Sequence, residues 1–218
     1  MTEMIGEALR YLGVTSDPEG ETRGRLTALM EELRGRIVPR HVLRVMEIRR
    51  RGGELTLGEQ VPLPGKMARD MLRECERAVL LVCTLGPAFE ARARTAKTRS
   101  MTEAVLLDAL GSAWVEAACD EAERELAARF PALHLTDRFS PGYGDLPLNV
   151  QPDVLAATDA ARRLGVQATE SFLMIPQKTV TAVIGLSDKP QPASIRGCAH
   201  CPMRGTCGAR KGGTTCEV

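Results

Sequence analysis

Aromatic residues are scarce in this chain, with one Trp, two Tyr and four Phe among 218 residues. A surface that stacks successive bases on rings needs more than that, which argues against a single-strand nucleic-acid platform. An excess of either charge is also lacking. Lys and Arg number 29 against 28 Asp and Glu, for a net charge near +1. No broad positive field of the kind that gathers phosphodiester backbones follows from such a balance. The densest basic run, Arg49-Arg50-Arg51, precedes Gly52-Gly53 and reads as a solvated strand end. Long apolar runs are missing too. The longest, Ala78 to Cys83 continuing to Leu85, falls far short of the ~20 residues that span a bilayer. Met1 to Gly13 alternates charged and apolar side chains, so no secretory leader is expected. These absences predict a cytoplasmic chain with no membrane or nucleic-acid partner. Seven cysteines in that setting point to metal or redox use rather than to structural disulfides.

What is present is a pattern of helices mixed with strands. Apolar spacing predicts helices over Glu3–Leu12, Glu21–Arg34, Gly65–Arg77 and, longest of all, Ser100–Phe130. Another is framed by Pro152 and Gly165. Strands are expected over His41–Arg50 and Glu54–Leu57, joined through Arg51-Gly52-Gly53. The run Ala78–Leu85 suits a strand covered on both faces, with Gly86-Pro87 as its stop. Phe172–Ile175 and Thr179–Leu186 read as a hairpin around Pro176-Gln177-Lys178. Strand pairs separated by helices, without regular βαβ alternation, predict an α+β fold with a mostly antiparallel sheet flanked by helices. That domain is expected over residues 1–187, with a linker and cysteine-rich tail over 188–218. Gly111-Ser112-Ala113 thins the long helix, so another backbone or a ligand can come close there.

Between the last two predicted helices lies a long irregular run from His134 to Pro152. Loops of that length are usually functional or disordered. Phe139, Tyr143, Leu146 and Leu148 give this one apolar anchors. Arg138 supplies a fixed cation, and Gly142 and Gly144 are points where the backbone can turn tightly and present N–H groups to an anion.

The tail carries Cys198, Cys201, Cys207 and Cys216 in a C-x2-C-x5-C-x8-C spacing. A C-x2-C pair brings two thiolates to one ion through a tight turn, and two more complete a tetrahedral or cubane set. Zinc and an iron–sulfur cluster both fit four thiolates. Cys75, Cys83 and Cys119 fall inside predicted elements and read as small buried hydrophobes.

Arg138-Phe-Ser-Pro-Gly142-Tyr143, followed by Thr169-Glu-Ser-Phe-Leu-Met-Ile-Pro176, resembles the reactivation domain of cobalamin-dependent methionine synthase. That family carries R-x-x-x-G-Y, a helix, then T-E-S-F-x-M-x-P before a hairpin. The long helix around Asp108 to Glu116 also looks like the family's, and the resemblance spans about residues 70–188. It implies a curved, mostly antiparallel α+β domain that binds S-adenosylmethionine beside a cobalamin. It further implies reduction of cob(II)alamin and capture of a methyl group, on a cobalamin-dependent methionine synthase or another corrinoid protein that is a separate partner. Cofactor contacts carried over are Arg138, Ser140, Gly142 and Tyr143, with Glu116 on the helix. No acid–base catalytic residue is implied, because the task is positioning. The chain departs from the family in Gly144-Asp145-Leu146-Pro147, in Ser112 at an acidic helix position, and in Ser187–Pro192, where an aromatic is missing. A free-standing form would draw electrons from a donor such as ferredoxin or flavodoxin, through an iron–sulfur centre in the tail. Activation of another corrinoid methyltransferase and a non-catalytic adaptor on a cobalamin domain remain alternatives.

Overall fold

The computed structural model describes residues 1–14, 17, 19–190, 195 and 205. Two helices come first, α1 (Thr2–Tyr11) and α2 (Glu21–Leu33). Strands β1 (Arg40–Arg51), β2 (Glu54–Leu57) and β3 (Val61–Pro62) follow, then a short α3 (Lys66–Met71) and β4 (Arg77–Thr84). Helices α4 (Gly86–Arg99) and α5 (Met101–Arg129) lead to β5 (His134–Leu135). A 3-10 turn over Leu148–Val150 precedes α6 (Gln151–Thr158), α7 (Ala160–Leu164), β6 (Gln167–Ala168), β7 (Met174–Ile175) and β8 (Thr179–Ser187).

The main sheet has the order β3-β2-β1-β4-β8-β5, and each adjacent pair is antiparallel. The fold is thus mixed α+β with an antiparallel sheet flanked by helices. β4 sits at its centre, and every residue from Ala78 to Thr84 is buried. The period of two splits that run between two cores. Val79, Leu81 and Cys83 join α1, α2, α4 and α5 on one face, while Ala78, Leu80 and Val82 join α3, α6 and α7 on the other. Burying each Leu or Val side chain contributes about 1.5–3 kcal/mol, so a strand with two dry faces is the natural keel of the domain.

α5 starts where Ser100 caps it, its hydroxyl accepting from the Glu103 N–H at 3.3 Å. α3 is capped from afar: the Asp145 carboxylate accepts from the N–H groups of Lys66 and Met67 at 2.5 and 3.0 Å. Of the basic run, Arg49 pairs with Glu59, and Arg50 donates to the carbonyls of Leu72 and Cys75 that end the α3 segment.

Several sequence expectations are corrected here. Met174–Ile175 does not pair with β8; it pairs with Gln167–Ala168 in a separate two-stranded sheet. β8 has both edges occupied, by β4 on one side and by β5 and Phe139 on the other. The helix expected over Gly65–Arg77 ends at Met71. The helix framed by Pro152 and Gly165 is broken at Asp159, which adopts φ 53°. Gly86-Pro87 stops a strand, as expected, but it also opens α4. Proline suits the first turn of a helix, and only Phe89 and Ala96 of α4 are buried, so the segment carries almost no apolar signal. Within the irregular run after α5, β5 and the 3-10 turn were not foreseen.

Candidate functional site

After β5 the chain continues beside β8 as an edge segment. Thr136 donates its N–H to the Gly185 carbonyl at 3.1 Å, and Phe139 and Val183 exchange N–H···O bonds at 3.1 and 2.7 Å. Successive side chains of such a segment point to opposite faces. Phe139 enters the core under α6, and Arg138 turns to the α5 side.

α5 receives Arg138 with three carboxylates. Glu116, Asp120 and Glu123 are spaced by four and three residues, which puts them on one helical face. Nη1 of Arg138 donates to Asp120 Oδ1 at 2.6 Å and to Glu123 Oε1 at 2.7 Å, and Nη2 donates to Glu116 Oε2 at 2.6 Å. The Arg138 side chain is 13% exposed, whereas Glu116 and Asp120 are each 40% exposed. Burial alone would lower the Arg138 pKa. The bonds to Glu123 and Asp120 outweigh it, and the guanidinium is held firmly charged.

Among the described residues, three carboxylates face this one guanidinium. Arg138 has five N–H donors, of which three are used, and its Nε makes no hydrogen bond among the described residues. The arrangement can therefore accept one more carboxylate on the guanidinium and a cationic group on the half-exposed acids. Tyr11, at the end of α1, borders Glu116; its phenol is pushed up first by burial and then by the Glu116 charge.

The rest of the loop is internally organised. Gly142 has φ 91°, a conformation that favours glycine, and donates its N–H to the Leu146 carbonyl at 2.8 Å. That N–H is therefore spent inside the loop. The Ser140 carbonyl accepts from Tyr143 N–H at 3.0 Å, and the Tyr143 ring is largely exposed. Of the sequence-predicted residues, Arg138 and Glu116 are brought into direct contact; Ser140, Gly142 and Tyr143 form the adjoining turn. Asp120, Glu123 and Tyr11 were missed. The E-x3-D-x2-E spacing on α5 is the signal that could have found the first two.

A second cation sits on α5 nearer its start. Lys178, 16% exposed, pairs with Asp108 at 2.8 Å and donates to the Ser112 hydroxyl at 2.8 Å. Gly111 beside it is required by contact: a Cβ there would come within 2.5 Å of the Phe89 ring and 3.0 Å of the Lys178 stem. The close approach expected at Gly111-Ser112-Ala113 is filled by these two side chains. Phe89 in turn meets Trp114 edge-on at 6.5 Å between centroids.

Cys75, Cys83 and Cys119 are buried, as expected. The tail cysteines Cys198, Cys201, Cys207 and Cys216 lie outside the described residues, as does all but a fragment of the 188–218 segment. Among the described residues no group of three His, Cys, Asp or Glu side chains is arranged to hold a metal ion, and no helix is long and apolar enough to cross a membrane. Ile195 donates its N–H to the Asp137 carboxylate at 3.0 Å and packs against the second core, one residue from Arg138.

This fold is similar to that of a solved structure, the MetH reactivation domain bound to AdoHcy. The TM-score is 0.65 at 15% identity, over 92% of this chain and 76% of that one. At that identity the likeness is one of fold. The sequence matches no protein-family model and no curated protein.

Proposed function

We propose that this chain binds S-adenosylmethionine at the Arg138 cluster and serves the reductive remethylation of a cobalamin carried by a separate protein. A cobalamin-dependent methionine synthase is the preferred partner. One conjunction supports the reading: R-x-x-x-G-Y lies on the edge segment of a fold similar to a domain solved with AdoHcy bound.

The residues present suit such a ligand. The Nε–H and the remaining Nη2–H of Arg138 match a carboxylate bidentately. Glu116 and Asp120, acid-rich and half-exposed, suit the ammonium and the sulfonium charge. Ser140, Gly142 and Tyr143 form the adjoining wall, with the exposed Tyr143 ring available to cover the ligand. S-adenosylmethionine, when bound, supplies the methyl group to reduced cobalt and leaves as the homocysteine thioether. The protein's part is to orient that methyl, which is catalysis by proximity. Cys198, Cys201, Cys207 and Cys216 are proposed as ligands of an iron–sulfur cluster, or of zinc, with ferredoxin or flavodoxin as electron donor. The bond from Ile195 to Asp137 favours a tail that leaves the domain beside Arg138.

The test is calorimetric titration with S-adenosylhomocysteine. Wild type should bind, Arg138→Lys should bind about tenfold more weakly or worse, and Lys178→Met should match wild type. No binding by a folded wild-type protein would end this reading. For the tail, anaerobically purified protein should contain iron and sulfide; stoichiometric zinc alone would make it structural. The three carboxylates already on Arg138 favour one rival, an adaptor that docks on a cobalamin domain without taking the nucleotide. It predicts no heat in the same titration.

A further inference from the structure

One long stretch of the main sheet has an open outer edge among the described residues. β2 pairs with β1 only over Ile48–Arg51, and Arg40–Glu47 has β4 alone as a strand neighbour. Two bonds fix which backbone groups face outward. Ile48 donates its N–H to the Glu76 carbonyl at 2.8 Å, toward β4. The Glu47 carbonyl accepts from Gly58 N–H at 2.9 Å, on the β2 side, away from β4. In an antiparallel ladder both polar groups of a residue point the same way, and that direction alternates along the strand. The N–H and C=O groups of His41, Leu43 and Val45 therefore point away from β4, and no described residue bonds them.

Sheet edges are commonly blunted by lysine or proline. Neither occurs between Arg40 and Glu47. The arginines there fold back instead: Arg40 donates to the Arg163 carbonyl of α7, and Arg44 to the Ala157 carbonyl of α6. Both guanidiniums thus lie on the α6–α7 face, which they share with Val42 and Met46, and neither meets a carboxylate among the described residues. On the opposite face Leu43 and Val45 are only partly buried where they pack against the α5 core. His41 on that face already has an acid, Glu125, at 2.9 Å. The edge therefore presents open backbone groups between a half-covered apolar stripe and two positive charges without counter-ions.

We infer that the Arg40–Glu47 edge takes up an extended strand of another protein, acidic at the positions facing Arg40 and Arg44 and apolar at those facing Leu43 and Val45. Bonds to the main chain of His41, Leu43 and Val45 supply affinity, and the alternating side chains supply specificity. A second copy of this chain fits less well. Antiparallel pairing about a two-fold axis at Leu43 uses the same backbone groups, but it gathers Arg40 and Arg44 of both copies on one face with no acid between them. The tail, where it is described, lies elsewhere: Ile195 bonds Asp137 on the β8–β5 flank. That flank is separated from β1 by β4 and β8, at about 4.8 Å per strand. A strand seated on β1 leaves the Arg138 cluster open, whatever that cluster binds.

The experiment follows amide exchange by NMR in the full chain. His41, Leu43 and Val45 should exchange fast, and Val42, Arg44 and Met46, which face β4, slowly. The probe is the blocked peptide Thr-Val-Glu-Val-Thr-Val-Glu, which sets its glutamates opposite Arg44 and Arg40 when it runs antiparallel to β1. It should slow the three fast amides. Lysine in place of both glutamates should weaken binding about tenfold, and Arg44→Glu should reverse that preference. N-methylation of the central valine, whose N–H would face Leu43, should abolish binding, whereas N-methylation of the glutamate opposite Arg44 should be tolerated. The two methylated peptides need no altered protein, so they decide the outcome even if Arg44→Glu folds poorly. Equal binding of the lysine peptide overturns the charge assignment, and no binding of the glutamate peptide overturns the site. Slow exchange at His41, Leu43 and Val45 in the peptide-free monomer would mean that the chain covers its own edge. The same protection appearing only with a concentration-dependent dimer would give the edge to a second copy. Either result rejects the inference.

Discussion

Of the cations held against α5 by the described residues, Arg138 and Lys178 are the most buried, and they are held differently. Arg138 is buried and meets three carboxylates, one of them deep in the cluster; Lys178 is nearly as buried, but its partner Asp108 is 67% exposed. Lys178 is a clamp: its backbone carbonyl accepts from Leu85, its stem covers Gly111, and its charge is neutralised once. Among the described residues, Arg138 meets three carboxylates and still has its Nε–H and one Nη2–H without an acceptor. A buried charge in such a polar cluster is where a fold is arranged for something beyond holding itself together.

The comparison breaks most visibly if Arg138 is removed. Arg138→Ala leaves three carboxylates facing one another and should cost about 3 kcal/mol in chemical denaturation, the low end for a broken buried pair because water reaches two of the acids. Gly111→Ala tests the contact beside the other cation. Helix propensity favours alanine, but the clash with Phe89 should dominate, for a net loss of about 1–2 kcal/mol. Lys178→Met should cost no more than about 1 kcal/mol, as a neutralised pair near the surface. If it costs as much as Arg138→Ala, the two sites are alike and the contrast is wrong. The smallest effect concerns the far end of the Arg138 loop. The N–H groups of Lys66 and Met67 hold the Asp145 carboxyl below its ordinary value of 3.8. A depressed folded value stabilises the domain above the unfolded pKa, and that stabilisation disappears as pH falls through the lower folded value. Asp145→Asn should therefore flatten the acid limb of a stability–pH curve below about pH 4, with little change in its shape near neutrality.

Much of this was legible in the sequence where a single element decides the outcome. The unbroken apolar run of β4 announced two covered faces, and Ser100 with the apolar spacing after it announced α5. Arg138 was singled out by its motif and Glu116 by its place on the long helix, and the structure puts the two side chains in contact. What was not legible depends on partners distant in sequence. The pairing of β7 with β6 is decided by β8 having no free edge, which no local window reveals. α4 hid because its buried side is Phe89 and Ala96 among arginines and threonines. Asp145 reads as a turn residue, yet it caps a helix some eighty residues earlier. Asp120 and Glu123 look like a solvated helix face until Arg138 arrives from the sheet edge.

The main sheet ends on both sides in strands of two residues, Val61–Pro62 and His134–Leu135, and beyond His134–Leu135 the Phe139 bridge shields more of the β8 flank. On the β8 flank so short a border offers few open amides and carbonyls for a visiting chain to zip onto. The β1 flank differs: β2 covers only Ile48–Arg51, and Arg40–Glu47 has β4 as its one strand neighbour among the described residues. A protein meeting the β8 flank must recognise the shape and charge of its side chains rather than its backbone.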